Sequence, residues 1–481
     1  MNSTAKNSPR TAVLNLVGLC GRHLGKHTPN LVAFAEKHKG YQVIEPVLPA
    51  LTCSAQPTYL TGKLPNSHGI VANGWYDREL NEHHFWKQSN RLVKGTKIWD
   101  ILREENPGFS CANLFWWYNM HSSVDYAITP RPLYRADGLK TFDIHTQPMN
   151  LREKIKADLG EFPFHGFWGP RAGIDSSNWI AESAKWTEEK NTPDLSLVYL
   201  PHLDYDLQRL GPNDPSIATA LRDLDRVAGD LISFYEKKGI QVLLLSEYGI
   251  SEVNHVIYPN REFRKKGWLS IKDELGLEYL DCGGSKAFAI TDHQVVHVYL
   301  SDQSSSFRNE VRSCLENMEG VDRVLDLESK KEIGLNHERA GDLVAFSNEN
   351  SWFAYYHWED DALAPDFARC IDVHRKYGYD PAELFVDPTL SFPSLQVARK
   401  LLGKKLGFRT NMNLIPLDAS LVKGSHGTRT KDALDWPIIL GHGIKPSSSP
   451  LQSTEVMNCM LRLCRQKDNK SFIFYIKKAI L

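Results

Sequence analysis

The chain has 481 residues, 42% of them hydrophobic and 24% charged, an ordinary globular composition long enough for two or three domains, or one large domain with an insertion. Lys+Arg 57 against Asp+Glu 58 leaves a formal net charge of -1, which speaks against whole-surface attraction to a nucleic-acid duplex or an anionic membrane. The eight cysteines are scattered without a CxxC pair, so they read as small buried hydrophobes of a reducing compartment and not as a disulfide framework or a thiolate zinc site.

The chain opens on MNSTAKNSPR and passes directly into TAVLNLVGL, a run too short for a secretory h-region with a cleavage site, and no later stretch has the apolar length to span a bilayer. A cytoplasmic protein without a membrane partner is expected. Residues 12–17 predict a first buried strand. LSLVYL (Leu195–Leu200) predicts another and 241–246 (QVLLLS) a third. Between the last two, residues 216–238 carry Leu221, Leu224, Val227, Leu231, Ile232 and Tyr235 at helical spacing. Strand, helix, strand with near-continuous apolar strands predicts a parallel sheet covered on both faces, with ligands at the carboxyl ends of its strands. Residues 294–347 read differently, as strand, helix, strand, strand, and predict a small inserted α+β cap. Residues 352–361 and the proline-punctuated 381–393 are expected to be ordered loops, and the polar residues 467–470 to fray.

The stretch 46–77, PVLPALTCSAQPTYLTGKLPNSHGIVANGWYD, places hydroxyls (Thr52, Ser54) after a strand-like run and at the start of a helix. A hydroxyl there gains the positive end of the helix dipole for an anionic substrate, and a metal can deprotonate it. Taken alone, Thr52 reads more readily as a plain helix N-cap. After LSLVYL comes PHLDYDLQRLGP, with Asp204, His202, Asp206 and Gln208; after QVLLLS come Glu247 and Tyr248; KGSHGT carries His426 ahead of an apolar run, 436–440. In CIDVHRKYGYD, Asp372 and His374 alternate, which in an extended segment puts both on one face beside Arg375 and Lys376. Aromatic clusters FWWYNM, NGWYD and FWGP suit either a core or a stacking wall for a ring.

In order and strand placement these motifs resemble the type I phosphodiesterase/nucleotide pyrophosphatase group of the alkaline-phosphatase superfamily. TGKLPNSHGIVAN (residues 61–73) matches the segment that follows the family's threonine nucleophile, with Thr52 in the nucleophile position and Asn73 in that of the asparagine that binds phosphoryl oxygens. Cys53, Ser54 and Ala55 stand where Phe, Pro and Asn are usual, so Ser54 is a rival nucleophile. Asp204 matches an aspartate ligand, Gln208 replaces a histidine ligand and offers a carbonyl oxygen, Glu247 and Tyr248 replace an Asp-His pair, and His426 matches the last histidine ligand. Val17 stands where the first strand ends in a bridging aspartate, and Asn15 is expected to sit too deep to replace it. His374 or His202 is then the candidate second imidazole. Cys53 lacks the C-x-P-x-R context of a sulfatase nucleophile.

The resemblance implies an α/β alkaline-phosphatase-like core, a mostly parallel sheet flanked by helices, over residues 11–290 and 348–481, with the cap at 291–347. It implies a metal-dependent hydrolase of phosphodiester or pyrophosphate small molecules, working through a covalent phospho-enzyme on Thr52. Metal would be held by Asp204, Glu247 and His426, with Gln208 and His374 as further ligands. The ion is zinc by resemblance, one or two of them, with magnesium or manganese suited to an oxygen-rich set. The alternative is a non-hydrolytic member that keeps the fold for ligand binding.

Overall fold

The computed structural model describes residues 9–136, 140–408 and 410–465; residues 467–470, expected to fray, lie outside them. In chain order its main strands are β1 (Thr11–Leu16), β2 (Tyr41–Glu45), β3 (Cys111–Leu114), β4 (Tyr126–Pro130), β5 (Ile144–Gln147), β6 (Leu195–Leu200) and β7 (Gln241–Leu245). Then come β8 (Ala287–Asp292), β9 (Val295–Leu300), β10 (Val321–Leu325), β11 (Leu343–Ser347), β12 (Ile438–Gly441) and β13 (Leu451–Gln452). Nine of these form one sheet in the order β13-β2-β12-β7-β1-β6-β3-β4-β5. Its centre is parallel: β1 pairs with β6 and β7, β6 with β3, and β3 with β4. β12 and β5 run antiparallel to their neighbours.

The α/β class expected from the sequence is therefore the one observed. All six residues of β1 and all six of β6 are buried, because helices cover both faces and leave no side of these strands to water. The covering helices include α1 (Pro29–Lys37), α2 (Thr52–Thr61), α3 (Ile174–Asn191), α4 (His202–Leu210) and α5 (Ile217–Lys237). The apolar stripe read from the sequence is the buried face of α5. Register fixes the site: Asn15 of β1 is level with Tyr199 of β6 and Leu245 of β7, so the segments after these strands leave the sheet along one edge.

The other four strands form an antiparallel sheet, ordered β8-β9-β11-β10. Three of them, and the helix Ser305–Glu316, fall in the segments read from the sequence, and β8 adds the fourth. This sheet shares a hydrophobic core with residues from Val253 to Leu280 and from Trp352 to Val422. All eight cysteines are free. No helix among the described residues is long and apolar enough to cross a membrane.

Candidate active site

Helix α2 begins at Thr52, but its N-cap is Leu51 and no side chain caps it. The capping role open to Thr52 is thus not used. Its Oγ1 lies 3.0 Å from the Tyr248 hydroxyl instead. Ser54 turns the other way, donating to the carbonyls of Pro49 and Leu51, so the two rival hydroxyls are separated by the direction they face.

Asp204 sits in the first turn of α4, where Pro201 is the N-cap. Its Oδ1 accepts from Tyr248 at 3.2 Å and its Oδ2 from Gln208 Nε2 at 2.7 Å. Gln208 follows Asp204 by four residues, one helical turn, which brings the two side chains together. A carboxylate requires the N–H end of the amide, so Gln208 Oε1 faces away and accepts from the Tyr379 hydroxyl at 2.9 Å. The expected carbonyl ligand is therefore corrected: the oxygen of Gln208 is engaged by a phenol.

Glu247 and Tyr248 follow β7. Glu247 Oε1 takes N–H groups from Asn15 and Gln56, each at 2.5 Å, while its buried Oε2 has no hydrogen-bond partner. Asn15 was expected to sit too deep; its parallel register with the end of β7 brings it onto the glutamate. The Tyr248 ring lies flat on His426, 3.6 Å between centroids and 7° between planes. Close approach requires the next residue to be glycine, since a Cβ on Gly249 would stand 1.7 Å from the Asp435 carbonyl. His426 Nδ1 is 2.8 Å from the Ala50 carbonyl, which fixes the proton there and leaves the Nε2 lone pair free, 3.8 Å from Asp204 Oδ1. Gly427 follows at φ +125° in a conformation that glycine adopts without strain.

Two residues the sequence reading passed over complete the cluster. The two-residue loop between β8 and β9 carries His293 at φ 58°, the left-handed conformation that so short a hairpin turn imposes. His293 stacks on Tyr379 at 3.7 Å and meets His426 at 3.8 Å between centroids. Its Nδ1 is 2.7 Å from Asp292 Oδ1, and its Nε2 is buried without a partner. Asp292 in turn accepts from Asn73 Nδ2 at 3.0 Å and from the Asn73 backbone N–H at 2.8 Å. Asn73 Oδ1 accepts the Cys53 N–H at 3.0 Å, so Asn73 ties the start of α2 to the β8–β9 turn and keeps one side-chain N–H uncommitted. The contacts with Tyr379 and His426, invisible in sequence, distinguish His293 from an ordinary hairpin residue.

His374 and His202 do not join this cluster. Residues 373–375 form a turn, not a strand, so the alternation placing Asp372 and His374 on one face does not apply; His374 Nδ1 faces the Phe85 carbonyl at 3.0 Å. His202 bonds to Ser177 and the Ala220 carbonyl between helices. Asp206 pairs with Arg209.

Electrostatically the site is acidic and buried. Burial pushes Asp204 up to about 7, against the opposing bonds from Gln208 and Tyr248, and pushes Asp292 and Glu247 up to about 7 as well. Burial drives His293 and His426 well below the ordinary imidazole value, so both are neutral. Beside the cluster, half-buried Trp86, Trp117 and Trp168 gather around Tyr379: Trp86 lies 4.9 Å from Trp117 and 6.1 Å from Tyr379, and Trp168 lies 5.6 Å from Tyr379. Phe115, Trp116 and Tyr118 are core.

A pair of metal ions does not fit these donors. Val17 is apolar and fully buried, Gln208 turns an amide N–H inward, and Tyr248 caps both Thr52 and Asp204. Donors for a single cation are at hand: Asp204 and His426 meet, Glu247 keeps an orphaned buried oxygen, and three buried carboxylates lack a lysine or arginine among the groups acting on them, but Asp204, Glu247 and His426 do not all come within 4.8 Å of one another.

The model of the family described as type I phosphodiesterase / nucleotide pyrophosphatase matches residues 11–380. An uncharacterised pyrophosphatase/phosphodiesterase of Schizosaccharomyces pombe is 27% identical over 280 residues, 54% of this chain and 49% of that protein. Ectonucleotide pyrophosphatase/phosphodiesterase 2 of Saccharomyces cerevisiae is 23% identical over 292 residues, 54% of this chain and 52% of that one. The chain thus spans about half the length of these curated relatives. Among solved structures, murine ectonucleotide pyrophosphatase/phosphodiesterase 5 superposes with a TM-score of 0.57 at 15% identity, covering 95% of both chains. Phosphonoacetate hydrolase of Sinorhizobium meliloti, in complex with phosphonoformate, gives 0.60 at 14% identity, covering 95% of this chain and 96% of that one. Both likenesses carry the fold.

Proposed function

The chain belongs to the type I phosphodiesterase/nucleotide pyrophosphatase family, and from that premise we propose that it hydrolyses phosphoric esters, cleaving phosphodiester or pyrophosphate bonds of nucleotide-like small molecules through Thr52. The observation that carries the reading is the buried chain Thr52–Tyr248–Asp204, hydrogen-bonded at 3.0 and 3.2 Å at the first turn of α2.

In this mechanism the Thr52 oxygen forms its bond to phosphorus as the bond to the leaving oxygen breaks. The threonine proton passes to the Tyr248 oxygen while Tyr248 gives its own proton to Asp204. A carboxyl pushed up to about 7 is matched to that task at neutral pH. The leaving oxygen departs on the far side of phosphorus and takes its proton from water; the hydroxide so formed cleaves the phosphothreonine, and Asp204 returns its proton through Tyr248 to the departing Thr52 oxygen. The N-terminal end of α2 favours the anionic group, and the uncommitted N–H of Asn73 supports a role in holding a phosphoryl oxygen.

A phosphate beside Asp204, Glu247 and Asp292 needs counter-charge. One divalent cation held by Asp204, Glu247 and His426 would supply it; it would keep Asp204 ionised and would itself lower the pKa of the attacking hydroxyl, in place of the relay. His293, whose Nε2 is orphaned, is the second imidazole that zinc prefers, in place of His374; without it the set suits magnesium or manganese. In the proposed division, residues 11–290 and 348–481 form the catalytic core, and the insertion 291–347 caps it through the β8–β9 turn. The tryptophans around Tyr379 suit an aromatic base, and an inactive threonine-to-alanine form of the murine neighbour was solved in complex with AMP.

One observation favours a second reading, a member that binds without hydrolysing: both Asp204 oxygens are occupied by neutral donors, and Thr52 is 4% exposed. Turnover of bis(p-nitrophenyl) phosphate with zinc, magnesium or manganese separates the two. Hydrolysis predicts that Thr52→Ala lowers kcat/KM by about a thousandfold or more and that Ser54→Ala stays within a few-fold. It also predicts a quenched phosphoryl adduct on the peptide containing Thr52. Absence of turnover with all three metals, with nucleotide binding retained, selects the second reading.

A further inference from the structure

At the opposite end of the large sheet a second group of donors converges. His38 is the C-cap of α1, Glu236 lies in the last turn of α5, and His442 directly follows β12. One ligand atom from each lies within 4.8 Å of the others. The group is distant from the chemistry above: His442 packs on Val242, near the start of β7, and Glu247 follows the end of that strand, five residues or roughly 16 Å away at about 3.3 Å per residue.

We propose that His38, Glu236 and His442 form a binding site for a divalent transition metal, zinc or a close relative, that pins together the ends of α1, α5 and β12. Two imidazoles and one carboxylate are a zinc donor set with a fourth position left for water. His38 Nε2 is shielded from solvent and has no hydrogen-bond partner, yet stands 4.0 Å from Glu236 Oε1. A buried ring nitrogen without a partner is costly unless something fills the gap. His442 Nδ1 lies 3.1 Å from both the N–H and the carbonyl of Val242, and a metal on Nε2 would select the tautomer that donates to the carbonyl, the arrangement that orients metal-bound histidines. The two imidazoles are already in contact, with ring centroids 4.4 Å apart. Both helices also present their C-terminal ends to the group, and the negative ends of two dipoles favour a cation. Lys37, which bonds both Glu236 oxygens at 2.8 Å, is the competitor; its side chain is 57% exposed and free to swing into water when a metal takes the carboxylate.

The test uses the full chain, stripped with chelator and titrated with zinc chloride alone by calorimetry, with cobalt absorption as a second readout. The wild type is expected to bind one more ion than His442→Ala, and Glu236→Gln, which keeps the volume of the side chain, is expected to weaken that event by at least about tenfold. Asp204→Asn, which acts at the other site, leaves it in place. Bound metal should raise the Tm of the wild type by more than that of either variant. Equal stoichiometry and affinity for wild type and Glu236→Gln overturn the proposal, as does a wild type that retains only ions sensitive to Asp204→Asn. Either result leaves the hydrolase reading untouched, because no readout here depends on turnover.

Discussion

Replacing Tyr248 by phenylalanine isolates the contact on which the proposed chemistry turns. The ring and its stacking on His426 are kept, and one oxygen is lost. That oxygen is the bridge between Thr52 Oγ1 and Asp204 Oδ1, at 3.0 and 3.2 Å, in a fully buried setting. Leaving the two groups short of a partner costs on the order of 1–3 kcal/mol each in stability. Catalysis suffers separately: without the phenol the threonine proton has no path to Asp204, and loss of a positioned proton acceptor lowers rates by about 10²–10⁴, equivalent to roughly 3–5 kcal/mol of barrier. A purely structural defect would not move the pH profile. Here it should move, because the Tyr248 bond is one of the two that restrain the Asp204 pKa against burial, so removing it shifts the acidic limb of kcat/KM upward. The assay is steady-state hydrolysis of bis(p-nitrophenyl) phosphate from pH 5 to 9, with folding checked by circular dichroism. A folded variant within twofold of wild type in kcat, with an unmoved acidic limb, refutes the relay.

Stability should fall steeply on mild acidification. Burial lowers His68 and His297 to about 3, lowers His23, His83, His202 and His357 to about 4, and holds His293 and His426 well below 6.5. Each contributes stability that is present above pH 6.5 and lost as the pH falls toward its folded value. Asp204, Glu247 and Asp292, raised to about 7, work in the opposite direction, favouring the fold at low pH and losing that as the pH climbs to 7. Eight histidines outnumber three carboxylates, so unfolding near pH 5 takes up protons and stability drops by several kcal/mol per pH unit. A Tm that is unchanged between pH 7 and pH 5 would contradict this. Trp86→Ala or Trp117→Ala is expected to raise KM for a nucleotide ester by about 5- to 100-fold, the loss of roughly 1–3 kcal/mol of stacking, with little change for a methyl phosphate ester. Equal effects on both substrates would remove the tryptophans from the binding surface.

The sequence by itself determined where the strands end and which polar residues stand there. Apolar runs without alternation read as strands covered on both faces, and the helical stripe of residues 216–238 as a crossover between them, while the resemblance in motif order implied that Thr52, Asp204, Glu247 and His426 are neighbours at one edge. What each side chain touches was decided by the tertiary structure alone. Tyr248 meets Thr52 across 196 residues, Gln208 meets Tyr379 across 171, and Asn15 meets Glu247 across 232. Such contacts follow from strand register and from how loops fold back, which leave no periodic trace in the chain. His374 shows the same limit from the other side, because alternation gives a shared face only in an extended segment and the chain turns there. His293 entered the site because a two-residue hairpin forces it to a positive φ and aims its ring at His426. Backbone direction, not residue type, placed it.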